Sequence, residues 1–193
     1  MNNRSAEETK RNILEAAQAA FIDHGYAMAS MRNIARVAGT SVGALYLYFR
    51  NKEELYLTLM LNRMKQLNEL TGELLRDIDD PQEAIGVFIS FSIDFARKHK
   101  GMIIIQGREL GFSFGIELKR EFLRERRRVI AEIIRKGMET GAFRKCDADE
   151  AATIIFNLLR GLVVSIAIDE EASFAPEAYV DLVLNGLLRR NDG

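Results

Sequence analysis

Proline is almost absent from this chain of 193 residues: Pro81 and Pro176 are the two, and both fall where a helix should begin. A proline is tolerated in the first helical turn because its missing N–H would have no partner there. Other start signals are equally plain. Ser5-x-x-Glu8, Asn51-x-x-Glu54, Asp80-x-x-Glu83 and Asp147-x-x-Glu150 each place a capping oxygen three residues before a carboxylate, the pattern that satisfies orphan amides at a helix start. Ser30 offers a further cap, and Gly25, Gly39, Gly101 and Gly141 stand where helices should stop. No segment alternates convincingly at period two, Met102–Ile105 being the ambiguous stretch. The pattern predicts an all-α fold of nine helices, near 5–24, 31–38, 41–48, 52–77, 81–99, 102–112, 116–140, 148–168 and 175–190.

Composition narrows the function classes. The chain is 48% hydrophobic, enough for one substantial core or two modest ones. Its single cysteine, Cys146, rules out a disulfide within the chain and suits a reducing compartment. Met1–Arg11 is polar and charged, and no uninterrupted apolar run approaches the roughly 20 residues of a membrane span. The densest stretch, 151–168, contains Asn157 and Arg160. A cytoplasmic protein without membrane contact is expected. Only His24 and His99 are available, and no metal-ligand spacing, glycine-rich phosphate loop or nucleophile motif occurs. No enzyme activity, cofactor or metal is expected.

Within this helical frame, Ser30–Lys52 reads SMRNIARVAGTSVGALYLYFRNK. Ala35 lies one turn before Gly39, and both are small enough for two helices to cross closely. Gly39 supplies the turn, and Thr40 and Ser41 offer a cap to the second helix. Val42 and Leu45 point back to the core, leaving Ser41, Gly43, Ala44, Tyr46 and Tyr48 outward. From Gly25 to Lys52 no acidic residue occurs, while Arg32, Arg36, Arg50 and Lys52 do. The whole chain is nearly neutral, with 27 basic and 28 acidic residues, so this cationic patch is local, as phosphate contacts are. A helix-turn-helix of this build lays its second helix in the DNA major groove.

The stretches ILEAAQAAFIDHGY (Ile13–Tyr26), MRNIARVAGTSVGALYLYF (Met31–Phe49) and NKEEL (Asn51–Leu55) together resemble the DNA-binding domain of the tetracycline-repressor (TetR) family of bacterial transcriptional regulators. The resemblance implies a three-helix DNA-binding domain at 1–51, followed at 52–193 by a helical domain that binds a ligand and dimerises. It also implies the contacts. Lys52 and the amides at the start of the fourth helix would meet a phosphate, and Ser30, Thr40, Ser41, Tyr46 and Tyr48 would hold the backbone. Arg32 would read guanine or grip phosphate. Val42, Gly43 and Ala44 put little bulk before the base edges and leave room for thymine methyls. The family often carries a short polar residue or Lys where this chain has Gly43–Ala44.

The remaining two-thirds are expected to form a homodimer and bind a small molecule. Residues 151–168 are apolar around nearly the whole helix, which suggests burial on two sides. Ile155, Leu159, Leu162, Val163 and Ile166, with Tyr179, Val183 and Leu187 on the last helix, are the candidate dimer interface. Aromatic and aliphatic volume gathers in the middle helices, and Phe88, Phe91, Phe95, Ile105, Phe112 and Phe122, with Arg108, Asn157 and Arg160 as polar anchors, are the candidate pocket for a hydrophobic effector. The RERRR run at Arg124–Arg128 alternates with Glu117, Glu121, Glu125 and Glu132 and reads as a solvated, salt-linked face. The expected function is a ligand-responsive repressor that binds a palindromic double-stranded operator as a dimer and is released by its effector. An activator of the same fold, or a ligand-binding adaptor without DNA binding, are the alternatives.

Overall fold

The computed structural model describes residues 3–101, 103–104, 115–168 and 175–187. Among these residues there are eight helices and no strand: α1 (Asn3–Met28), α2 (Met31–Val37), α3 (Val42–Tyr48), α4 (Lys52–Leu75), α5 (Pro81–Lys98), α6 (Ile116–Glu139), α7 (Ala148–Ile168) and α8 (Pro176–Leu187). The helix expected near 102–112 lies, apart from residues 103 and 104, outside the described residues.

The helix ends follow the sequence signals, with two exceptions. Asn51 Oδ1 accepts from the Glu54 amide at 2.7 Å, and the Glu54 carboxylate accepts from the Arg50 amide at 2.7 Å. Asp80 Oδ1 accepts from the Gln82 amide at 3.1 Å, with Pro81 at the start of α5. Asp147 Oδ1 takes the amides of Asp149 and Glu150 at 2.9 and 3.0 Å. Ser5 is not a cap: α1 already runs from Asn3, and the Ser5 carbonyl accepts the Thr9 hydroxyl inside the helix. Gly101 does not end α5 either, because the helix stops at Lys98 with His99 as its cap. Gly25, at φ 72°, interrupts α1 three residues before its end.

The described residues fall into two compact units, one within 1–65 together with 104 and 115–116, the other within 66–103 and 117–187. This division passes through α4. In the first unit Ile13, Ala17 and Phe21 of α1, Ile34 and Ala35 of α2, Leu45 of α3, and Leu55, Tyr56 and Met60 of α4 are buried. Helices α2 and α3 are seven residues each, and so few buried side chains fill their inner sides. Val42, expected inside, is 37% exposed, and Val37 is 54% exposed.

In the second unit one core joins Ile85, Phe88, Ile89 and Ile93 of α5 to Ile130, Ala131 and Ile134 of α6. Ala152, Ile155, Phe156, Leu159 and Leu162 of α7 and Val183 of α8 complete it. The Tyr179 hydroxyl donates to the Ile155 carbonyl at 3.1 Å and ties α8 to α7. After α6 the chain reverses at Gly141 and lays the Phe143 ring on Gly137, where a Cβ would stand 2.0 Å from a ring carbon.

Candidate functional site

The turn between α2 and α3 is built from backbone geometry. Gly39 adopts φ 68°, its amide donates to the Arg36 carbonyl at 3.3 Å, and the Thr40 amide reaches the Ala35 carbonyl at 3.0 Å. These two bonds are the Schellman closure, which needs a left-handed residue at Gly39. Ser30 caps α2 by accepting from the Asn33 amide at 3.2 Å, and Ser41 caps α3 by accepting from the Ala44 amide at 3.0 Å. Both hydroxyl oxygens are thereby engaged while each O–H remains a donor.

Leu45 is the one buried residue of α3. Ser41, Val42, Gly43, Tyr46 and Leu47 are exposed, and Ala44 and Tyr48 are partly so. Arg32 and Arg50 are exposed, and Arg36 donates to Asn33 Oδ1 at 2.8 Å. Leu47, 87% exposed, was in neither the expected core nor the expected contacts. Its position two residues past Leu45 puts it about 200° around the helix, so the spacing could have found it.

Lys52 departs from expectation. Its ammonium donates to the carbonyls of Tyr26, Ala27 and Ala29 at 2.6, 3.1 and 3.0 Å and lies 4.6 Å from the Tyr26 ring centroid. The carbonyls that follow the Gly25 break have no continuing helix to serve, and the cation satisfies them. Phe21, Tyr26 and Tyr56 pack ring to ring beside it, with centroids 5.3–5.9 Å apart. Lys52 is thus a brace between the end of α1 and the start of α4, with its three protons already used.

The expected sites of the second unit are redistributed. Ile155, Leu159, Leu162 and Val183 are at most 7% exposed because they form the chain's own core, and Val163, Ile166 and Tyr179 pack against it. The first four are therefore interior, while Val163, Ile166 and Tyr179 stay partly exposed. The opposite side of α7 carries Ile154 and Leu158, 55% and 52% exposed, beside Gly161, Asn157 and Arg160, with Val164 at 44% and Leu182 of α8 at 67%. A helix apolar all round leaves open which side turns inward, and packing on α5 decides it. Asn157 and Arg160 consequently face outward rather than line an interior pocket. The side chain of Leu187 lies outside the described residues, as do Ile105, Arg108 and Phe112. Phe88 is fully buried core, whereas Phe91, Phe95 and Phe122 are half-buried.

The arginine run of α6 splits in two. Arg128 pairs with Glu125 and Glu132, and Arg120 pairs with Glu117, on a solvated face as expected. Arg126 instead is 2% exposed. It donates to Thr71 Oγ1 at 2.8 Å and Ser92 Oγ at 2.6 Å and lies 4.1 Å from the Phe88 ring centroid. Burial pushes its guanidinium down to about 10, which still leaves it protonated at neutral pH. The sequence carried a signal for this: Leu123, Arg126, Ile130 and Ile134 share the helical spacing of the buried stripe.

A capped pair of short helices crossing at a left-handed glycine, the second presenting nearly all its side chains outward, defines a helix-turn-helix DNA-binding head on an all-helical body. Known sequences agree with that class. Residues 13–59 match the profile described as bacterial regulatory proteins, tetR family. The fatty acid metabolism regulator protein of Bacillus subtilis is 25% identical over 82% of this chain and 84% of its own length. YhgD, an uncharacterized HTH-type transcriptional regulator of the same organism, is 26% identical over 81% and 83%. Among solved structures, the fatty acid degradation regulator FadR of Bacillus halodurans superposes with a TM-score of 0.78 at 26% identity, covering 93% of this chain and 99% of that one. These matches support a TetR-family transcriptional regulator, with the family's sequence signature at residues 13–59.

Proposed function

We propose that this regulator binds a palindromic operator as a homodimer, represses from it, and is released by a small hydrophobic effector held in the second unit. The observation that carries the reading is α3: one buried residue anchors it, and Ser41–Tyr48 offers an outward surface free of acid. Anionic phosphates can approach such a surface without like-charge repulsion. A single head of two-turn helices reads too few base pairs to be specific, and two-fold pairing doubles the contact. The exposed apolar side of α7, Ile154 and Leu158, with Leu182 of α8, suits a second copy of the same surface.

An apolar effector is supported by half-buried Phe91, Phe95 and Phe122 and by the relatives that regulate fatty acid metabolism. The test is fluorescence anisotropy with duplexes from the DNA flanking the protein's own gene, across a salt series. One duplex should bind far more tightly than random sequence, with affinity falling steeply as salt rises. Equal and weak affinity for every duplex would defeat the reading.

A further inference from the structure

We propose that Arg126 anchors the carboxylate of an amphiphilic acid, which makes the effector class a carboxylate-headed apolar molecule. The inference rests on the reading of the second unit as the effector-binding part. Three observations point to it. First, Arg126 is 2% exposed and, among the described residues, no carboxylate reaches it. Buried cations ordinarily have an anionic partner, since neutral groups offset their desolvation only in part.

Second, its two partners are neutral acceptors whose own protons point elsewhere. Thr71 Oγ1 donates to the Leu67 carbonyl at 2.7 Å, and Ser92 Oγ donates to the Phe88 carbonyl at 2.7 Å. The hydroxyls orient the guanidinium and leave its charge uncancelled. Of five N–H donors two are engaged, and the remaining three suit the planar fork of a carboxylate. Third, the groups beside it are largely apolar. Phe88 lies under the guanidinium, and Leu123 and Ile130, one turn to either side of Arg126 on α6, pack against or within the core. A single compact anion with an apolar tail matches this. A multiply charged nucleotide head does not, because each further charge would add its own desolvation.

The probes are dodecanoate, dodecan-1-ol and dodecanoyl-coenzyme A, titrated calorimetrically into the full chain and into Arg126→Met and Arg126→Lys. Dodecanoate should bind the wild type about tenfold or more tightly than the alcohol. Arg126→Met should abolish that preference while unfolding at an equal or higher temperature, as removal of an uncompensated charge predicts. Arg126→Lys should keep part of the preference, and it secures the test if the Met variant folds poorly. Equal binding of acid and alcohol by the wild type would overturn the proposal. So would a preference that survives Arg126→Met, or binding of the thioester without the free acid. Duplex binding by the same preparation separates the two readings. A protein that binds operator but ignores dodecanoate overturns the anchor alone, whereas one that prefers the acid but binds no duplex supports the anchor and defeats the regulator.

Discussion

An ammonium with three protons directed at three carbonyls has no donor left for phosphate, and Lys52 is so placed. Lys52→Met should therefore lower the stability of the head by about 2 kcal/mol, within the range for hydrogen bonds to a charged group, as read by thermal unfolding. The slope of log affinity against log salt should stay unchanged. A slope shallower by about 0.9 would assign Lys52 to a phosphate after all. Gly43 permits the opposite separation. A Cβ there would meet nothing closer than Ser41 Oγ at 4.0 Å, so Gly43→Ala should stabilise α3 by about 0.5–1 kcal/mol. If α3 lies against base edges, the same methyl should alter duplex affinity, and an unchanged affinity would take Gly43 out of the contact. At Gly137 the identical change should be harmful. The added Cβ would stand 2.0 Å from the Phe143 ring, and overpacking of that kind costs about 1–3 kcal/mol, measurable in urea.

Helix α7 carries two apolar faces with different tasks, and neighbouring substitutions distinguish them. Leu158→Glu, on the outer face, should leave the far-ultraviolet spectrum intact and halve the mass by light scattering. Leu159→Glu, 3% exposed, should unfold the second unit. Helix α8 is held to α7 in part by the bond from the Tyr179 hydroxyl to Ile155, and Tyr179→Phe should cost about 1 kcal/mol. Burial raises the Tyr179 phenol above its ordinary value of 10.0. Its contribution is therefore full below that value and fades as pH climbs through the raised one. The urea stability gap between wild type and Tyr179→Phe should accordingly hold below about pH 10 and narrow as pH rises beyond it. Most element boundaries were readable because caps and glycines act locally: Asn51, Asp80, Asp147 and Gly39 do what their side chains or φ angles require. Which face of α7 turns inward was not readable, since Ile154 and Ile155 have the same chemistry and only the packing of α5 chooses between them. Lys52 was missed because its partners lie 23–26 residues back in the chain, and Arg126 because four arginines within five residues hid one position on the buried stripe.

At the scale of the whole molecule, the proposed function puts a DNA-reading head and an effector-holding body in one chain, with α4 running through the division between its two units. Regulation then amounts to a coupling free energy between two sites, typically about 1–3 kcal/mol. For this chain it should appear as a roughly 5–150-fold loss of operator affinity at saturating effector, with the effector weakened by operator in the same ratio. The exposed apolar row of α7 has a consequence for how such a protein works in a cell. If that row is covered only by a second copy, the reading form is made by collision of two chains, and dilution below the pairing threshold removes it twice over. Target occupancy would then follow the square of abundance, so a modest drop in synthesis would open the controlled promoter abruptly rather than by degrees.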